Sequence, residues 1–227
     1  MAQQPQTDAK PSDLGTRLIS VAVLIPPVMA AVYFGEPYFD TLVLVGGAIL
    51  LYELYRASGG RIAWTLAGGS YVAVAIVSLL SLRQSTDHGA MTVYWLFVLV
   101  WGADTLAYFV GRSLGGPKLA LKISPNKTWS GFVGAILGAA IAGSGVAFYL
   151  SKTNIWSLIL VSAALGAVSQ IGDLLESWFK RRFHRKDMGA LIPGHGGLFD
   201  RVDGLLAASL VCWLGQESSG KVFLAWL

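Results

Sequence analysis

Asp173-Leu-Leu-Glu176-Ser177-Trp-Phe-Lys180-Arg181-Arg182-Phe-His184-Arg185-Lys186-Asp187-Met-Gly189-Ala-Leu-Ile-Pro193-Gly194-His195-Gly196-Gly197-Leu-Phe-Asp200-Arg201-Val-Asp203 is the stretch on which the reading of this chain turns. Six cations, five carboxylates and two histidines sit in it, in a sequence of 227 residues of which 13% are charged. Apolar runs flank it on both sides. A chain that concentrates its charge between long apolar segments reads as a membrane protein with a polar site at one surface.

The rest of the composition agrees. Hydrophobic residues make up 54% of the chain, and the mean hydropathy is +0.58. Apolar runs of about 20 residues recur, the length that crosses a bilayer as a helix. In lipid every backbone polar group must be satisfied internally, which leaves helix bundles or closed barrels. The runs are continuous rather than alternating, so the expected fold class is all-α, a polytopic integral membrane helix bundle. The single cysteine, Cys212, lies in an apolar run and excludes an internal disulfide or a thiolate zinc cluster. Residues 1–16 read as a disordered tail, polar and carrying two prolines. No charged region followed by a small-residue cleavage site marks a cleaved signal peptide.

Seven spans are expected, at 17–34, 40–57, 63–82, 91–112, 131–150, 155–179 and 204–224. They group into an N-terminal region, 17–90, and a catalytic region, 91–227, with two basic loops. The first span contains Pro26-Pro27, a kink signal. The fifth places Gly131, Gly134, Gly138, Ala142 and Gly145 three or four apart, a smooth face for close helix packing, within the chain or across a dimer. With a cytoplasmic N-terminus, Lys10, Arg17, Arg56, Arg61, Arg112, Lys118, Lys122, Lys127, Lys180, Arg181, Arg182, Arg185, Lys186 and Arg201 all fall on the cytoplasmic side. Only Arg83, Lys152 and Lys221 fall opposite, a bias of fourteen against three. The net charge of +4 is therefore read as topology and attraction to anionic headgroups, with no nucleic-acid partner expected.

Four carboxylates fall inside or at the ends of spans: Glu53, Asp104, Asp173 and Glu176. A charge at membrane depth is costly, so each is expected to be paired or functional. Glu53 can pair with Arg56 or join the site, and Glu176 can pair with Lys180 one turn on. Asp173 has no such local cation. Asp200 and Asp203 follow a glycine-rich turn whose amides can form an anion nest. Converging with Asp173, they make a hard oxygen site of the kind that suits Mg²⁺. The competing interpretation is that Asp200 and Asp203 cap a helix while the basic run binds lipid headgroups. A second polar segment, Gly111–Ser130, carries Arg112, Lys118, Lys122 and Lys127 with hydroxyl and amide donors, a composition suited to polyphosphate. It is not a P-loop, because no Gly-Lys-Ser/Thr stands at that spacing.

The segment from Ser177 to Asp203 resembles the signature of the phosphatidate cytidylyltransferase (CDP-diacylglycerol synthase) family. The elements are Ser177, Phe179, Lys180-Arg181, Lys186-Asp187, Gly189, Ile192-Pro193, His195-Gly196-Gly197 and Asp200-Arg201-Val202-Asp203. Gly172-Asp173 through Ser177, and Asp104-Thr105 through Gly131 with Ile123-Ser124-Pro125-Asn126-Lys127-Thr128-Trp129, are also similar to the family. The first three spans share only its general character. The resemblance implies CTP and phosphatidate as substrates, CDP-diacylglycerol and pyrophosphate as products, and a role in phospholipid biosynthesis. It implies Mg²⁺ on Asp173, Asp200 and Asp203, with K⁺ as a second cation. Lys127 joins those three as a catalytic candidate. Asp104, Lys122, Ser124, Asn126, Lys180, Arg181, Lys186, His195 and Arg201 are candidates for substrate binding. A bacterial inner-membrane location, an active site facing the cytoplasm and a homodimer are further expectations.

Two other classes fit part of this pattern. A CTP-dependent lipid kinase of the dolichol-kinase kind would phosphorylate an alcohol and release CDP. A transporter would spread its polar residues through the bilayer midplane, whereas here they gather at one surface.

Overall fold

The structure, a computed structural model, describes residues 12–85, 88–150, 154–191 and 196–219. The long apolar runs become helices because a helix satisfies its own backbone where no water can. Seven are described: α1 (Ser12–Phe34), α2 (Tyr38–Ala57), α3 (Ile62–Gln84), α4 (Gly89–Leu114), α5 (Trp129–Tyr149), α6 (Ile155–Arg182) and α7 (Phe199–Ser219). Five of them, α2 to α6, are long and apolar enough to cross a membrane. The protein is thus an all-α integral membrane bundle. α1 begins at Ser12, inside the stretch expected to be a tail, and its apolar part runs Ala22–Phe34. α7 begins five residues before the expected span, so Asp200 and Asp203 lie in its first turns.

The polar segment after α4 is not a plain loop. Gly115 (φ 61°) and Gly116 (φ 102°) end the helix in left-handed geometry that other residues rarely adopt. Then β1 (Lys118–Ala120) pairs antiparallel with β2 (Ser124–Thr128), Lys118 opposite Thr128 and Ala120 opposite Ser124. The Ile123 N–H donates to the Ala120 carbonyl at 3.0 Å, closing the turn. The strands are too short for an alternating pattern to reveal them in the sequence. The Thr128 hydroxyl accepts from the Gly131 N–H at 3.0 Å, so β2 runs straight into the capped start of α5.

The glycine face of α5 is used within the chain. A Cβ on Gly138 would sit 2.2 Å from the Gly102 carbonyl oxygen of α4, and one on Gly134 would sit 2.8 Å from that of Leu106. Such approach lets the two backbones pack closely, the usual source of association between helices in lipid. Gly145 does not share this face and has nothing within 4 Å; Gly143 instead meets Ser162 of α6. Around this contact Trp95, Leu99, Ala139, Leu165 and Cys212 form a buried core, with the Trp95 indole N–H donating to the Ser162 hydroxyl at 2.9 Å. A second core joins Leu50 and Leu54 of α2 and Val72 of α3 to Phe179, Phe199 and Leu206. It brings the N-terminal helices against α6 and α7, beside the charged residues.

Gly138→Leu is expected to collide with α4 and lower the melting temperature in detergent. Gly145→Ala, facing open space, is expected to leave it unchanged. Fluorescence-detected size exclusion after heating compares the two.

Candidate active site

α6 presents Asp173 and Glu176 one turn apart, and α7 brings Asp203 to them. One oxygen from each of the three lies within 4.8 Å of the others. Gly172 allows this, since a Cβ there would stand 2.7 Å from the Asp203 carbonyl oxygen. Three carboxylate oxygens form a hard donor set, suited to a divalent cation. Glu176 is 4% exposed, and its Oε1 has no hydrogen-bond partner among the described residues. A buried, unpaired carboxylate oxygen is costly, and a cation held between the three groups would satisfy it. The residues present therefore fit a metal ion.

Asp200 was expected in that set, and its carboxylate is committed elsewhere. Its Oδ1 is 2.8 Å from Lys180 Nζ. Its Oδ2 accepts from the Met188 N–H at 3.0 Å and the Gly197 N–H at 2.9 Å. Asp200 and Asp203 stand three apart, yet the first meets Lys180 of α6 and the Met188 amide of the segment after it, and the second meets Asp173 and Glu176. Glu176 takes the expected place of Asp200. Lys180, expected at phosphate, lies between Glu176 Oε2 at 2.6 Å and Asp200 at 2.8 Å. It compensates both acids and ties α6 to α7.

Glu53 is 3% exposed and does not pair with Arg56. Its two oxygens accept from the Leu198 N–H at 2.9 Å and the Phe199 N–H at 2.8 Å. A carboxylate from α2 thus caps the start of α7 across more than a hundred residues of chain. Gly189 and Gly197 make room for it, because a Cβ at either would lie 2.4 or 2.7 Å from Glu53 Oε1.

On the other side of Asp173 lies a cavity of about 750 Å³ whose walls include Asp104, Arg112, Lys118, Asn126, Lys127 and Gln170. Lys127 Nζ is 2.7 Å from Asp173 Oδ2 and donates to Gln170 Oε1 at 2.8 Å. The Gln170 amide donates to Asp104 Oδ1 at 2.9 Å. Sequence reasoning missed Gln170, although a polar residue one turn before Asp173 in an apolar helix is the available signal. It also left Arg112 and Lys118 out of the candidates. Arg112 donates to the Tyr108 hydroxyl at 2.7 Å.

The other described candidates do not line this cavity. Lys122 is exposed in the hairpin turn and Ser124 opens β2. Arg181 donates through Nε to the Ile123 carbonyl at 3.1 Å, fastening the hairpin to α6. Lys186 is exposed beyond α6, and Arg201 is exposed on the first turns of α7. His195 lies outside the described residues.

The cytidylyltransferase family profile matches residues 55–217. The chain belongs to the cytidylyltransferase family. A phosphatidate cytidylyltransferase of Brucella abortus is 46% identical over 171 residues, 75% of this chain and 62% of that protein. One of Rickettsia conorii is 34% identical over 215 residues, covering 91% of this chain and 93% of its own. One of Haemophilus influenzae is 44% identical over 143 residues, 60% of this chain and 50% of that protein. The chain thus spans 62% of the length of the Brucella relative it matches. For a cytidylyltransferase-family member, a carboxylate cluster beside a cavity with cationic walls is the arrangement that phosphate chemistry needs. Glu53 lies just outside the stretch that the family profile matches.

Lys180→Met is expected to cost about 3–5 kcal/mol, because it leaves two buried carboxylates uncompensated. Glu53→Gln, which retains only one acceptor for two amides, is expected to cost about 1.5–3 kcal/mol. Denaturant unfolding in micelles measures both.

Proposed function

We propose that this protein is a phosphatidate cytidylyltransferase, converting CTP and phosphatidate to CDP-diacylglycerol and pyrophosphate at the cytoplasmic face of the bacterial inner membrane. The observation that carries the reading is the Asp173–Glu176–Asp203 cluster bordering the cavity of Lys127, Arg112 and Lys118, in a chain of this family. The lysine and arginine bias supports a cytoplasmic N-terminus and site. We assign Mg²⁺ to Asp173, Glu176 and Asp203, with K⁺ the companion cation that the resemblance implies. When bound, Mg²⁺ supplies charge neutralisation for the phosphates.

In the reaction an anionic phosphate oxygen of phosphatidate attacks the α-phosphorus of CTP in line. A new P–O bond forms as the bond to the α–β bridging oxygen breaks, and pyrophosphate leaves with the electron pair. The nucleophile is already deprotonated, so no general base is needed. Lys127, placed between Asp173 and Gln170, presents its ammonium to the triphosphate. Arg112, Lys118 and Asn126 line the space in which the remaining phosphates and the nucleoside lie. Asp104 acts through Gln170, holding Lys127 in place. On the far side of Glu176 an apolar pocket of about 180 Å³, walled by Trp64, Tyr71 and Phe179, has room for part of the lipid.

Purified protein given labelled CTP and phosphatidate with Mg²⁺ is expected to form a CDP-lipid and pyrophosphate; release of CDP instead would make it a lipid kinase. Asp173→Asn, Glu176→Gln and Asp203→Asn are each expected to lower kcat by about 10²–10³, as loss of one preorganised electrostatic group does. Chelation is expected to abolish turnover and added Mg²⁺ to restore it. Lys127→Ala is expected to raise the KM for CTP about tenfold through loss of a charge-assisted contact. An unchanged KM would remove Lys127 from triphosphate binding.

A further inference from the structure

Two arginines that the proposed reaction does not use face a groove of their own. Val45, Ile49, Tyr52 and Arg56 recur three or four apart on α2, so they share one face of the helix. That face is one wall of a cavity of about 750 Å³, and the segment 185–191 after α6 is the other. It shares no lining residue with the cavity at Lys127 and Asp173. Val45 and Tyr52 are 54% and 61% exposed, and Leu191 opposite is 57% exposed. Arg56 closes the stripe at the C-terminal end of α2, where Arg185 Nη2 donates to the Arg56 carbonyl at 3.2 Å.

Among the described residues no carboxylate lies within 4.0 Å of either guanidinium. Two acids border the groove. Glu53 spends both oxygens on the Leu198 and Phe199 amides. Asp187 is exposed and pairs with neither arginine. Two arginines and two acids line the groove, so its formal charge balances; with Glu53 turned to the Leu198 and Phe199 amides, the two guanidiniums stand at the head of a groove whose length along α2 is apolar.

We propose that this groove binds an anionic glycerophospholipid, its phosphate on Arg56 and Arg185 and an acyl chain along Val45, Ile49 and Tyr52. Guanidinium groups hold phosphate oxygens in paired hydrogen bonds. The apolar wall argues for a lipid over free phosphate, which would gain nothing from it. The site is distinct from the reaction site and has a route to it. A lipid bridging Arg56 and Arg185 fastens the segment after α6 to α2. Met188, in that segment and in the groove wall, donates to Asp200, and Glu53 beside it caps α7.

The test is photo-crosslinking of the full chain in phosphatidylcholine vesicles doped with photoactivatable phosphatidylglycerol or, separately, photoactivatable phosphatidylcholine. Peptides covering 45–56 and 185–191 are expected to take the phosphatidylglycerol label in preference. The Arg56→Gln/Arg185→Gln protein is expected to lose that label roughly tenfold, in keeping with the loss of charge-assisted contacts, and to keep the phosphatidylcholine background. Equal labelling by the two probes, or an unchanged pattern in the folded double variant, would overturn the proposal. Removal of the label by excess inorganic phosphate, but not by chloride at the same ionic strength, would assign the groove to a free anion instead. The two-probe comparison on the unsubstituted protein decides the matter even if the double variant does not fold. None of these readouts depends on CTP or phosphatidate turnover.

Discussion

A carboxylate inside a helix bundle must find hydrogen-bond donors or a cation, because the lipid around it offers neither. That requirement organises this protein. Glu53 is satisfied by two amides at the start of α7. Asp200 is satisfied by Lys180 and two further amides. Asp104 receives Gln170, which in turn holds Lys127 against Asp173. Two buried acidic oxygens, Oδ1 of Asp40 and Oε1 of Glu176, are without a partner among the described residues, and that of Glu176 lies where three carboxylates converge. Convergence, more than satisfaction, marks the acids that can hold a metal, Asp173, Glu176 and Asp203.

The same logic links helices that are distant in sequence. Lys180 bridges α6 to α7, and Glu53 bridges α2 to the start of α7. Backbone proximity does the rest: Gly172 lets α6 reach Asp203, and Gly102 with Gly138 lets α4 lie against α5. α5 is then aligned so that its capped N-terminus continues directly from β2 and Lys127. The proposed triphosphate site therefore depends on a helix contact well away from it, with rigid elements rather than loops carrying the key charges.

Much of the site was legible because charge is rare in this chain and hence informative. Asp173 and Asp203 were read as converging, Lys127 and Asn126 as lining the site, and the glycines of α5 as a packing face. One assignment changed, one open alternative was decided and one residue was missed, each for local reasons. Spacing alone made Asp200 and Asp203 equivalent, but the amides of Met188 and Gly197 and the ammonium of Lys180 claim Asp200. Glu53 and Arg56 are close in sequence, yet the unpaired amides of an incoming helix outcompete a nearby guanidinium. Gln170 carries no charge and escaped a search that followed charge. The hairpin was hidden because its strands are too short to show a period.

The sequence by itself determined the helical membrane architecture, the separation of lipid-facing from charged segments and the family signature. Each of these follows from composition and order along the chain, since long apolar runs must be helical in lipid. Only the tertiary structure decided which acids face one another, which are neutralised by lysine or amide, and which basic residues share a cavity. Those outcomes depend on distances between helices far apart in sequence, since Asp203 joins the three-carboxylate cluster while Asp200, three residues before it, is held by Lys180 and two amides.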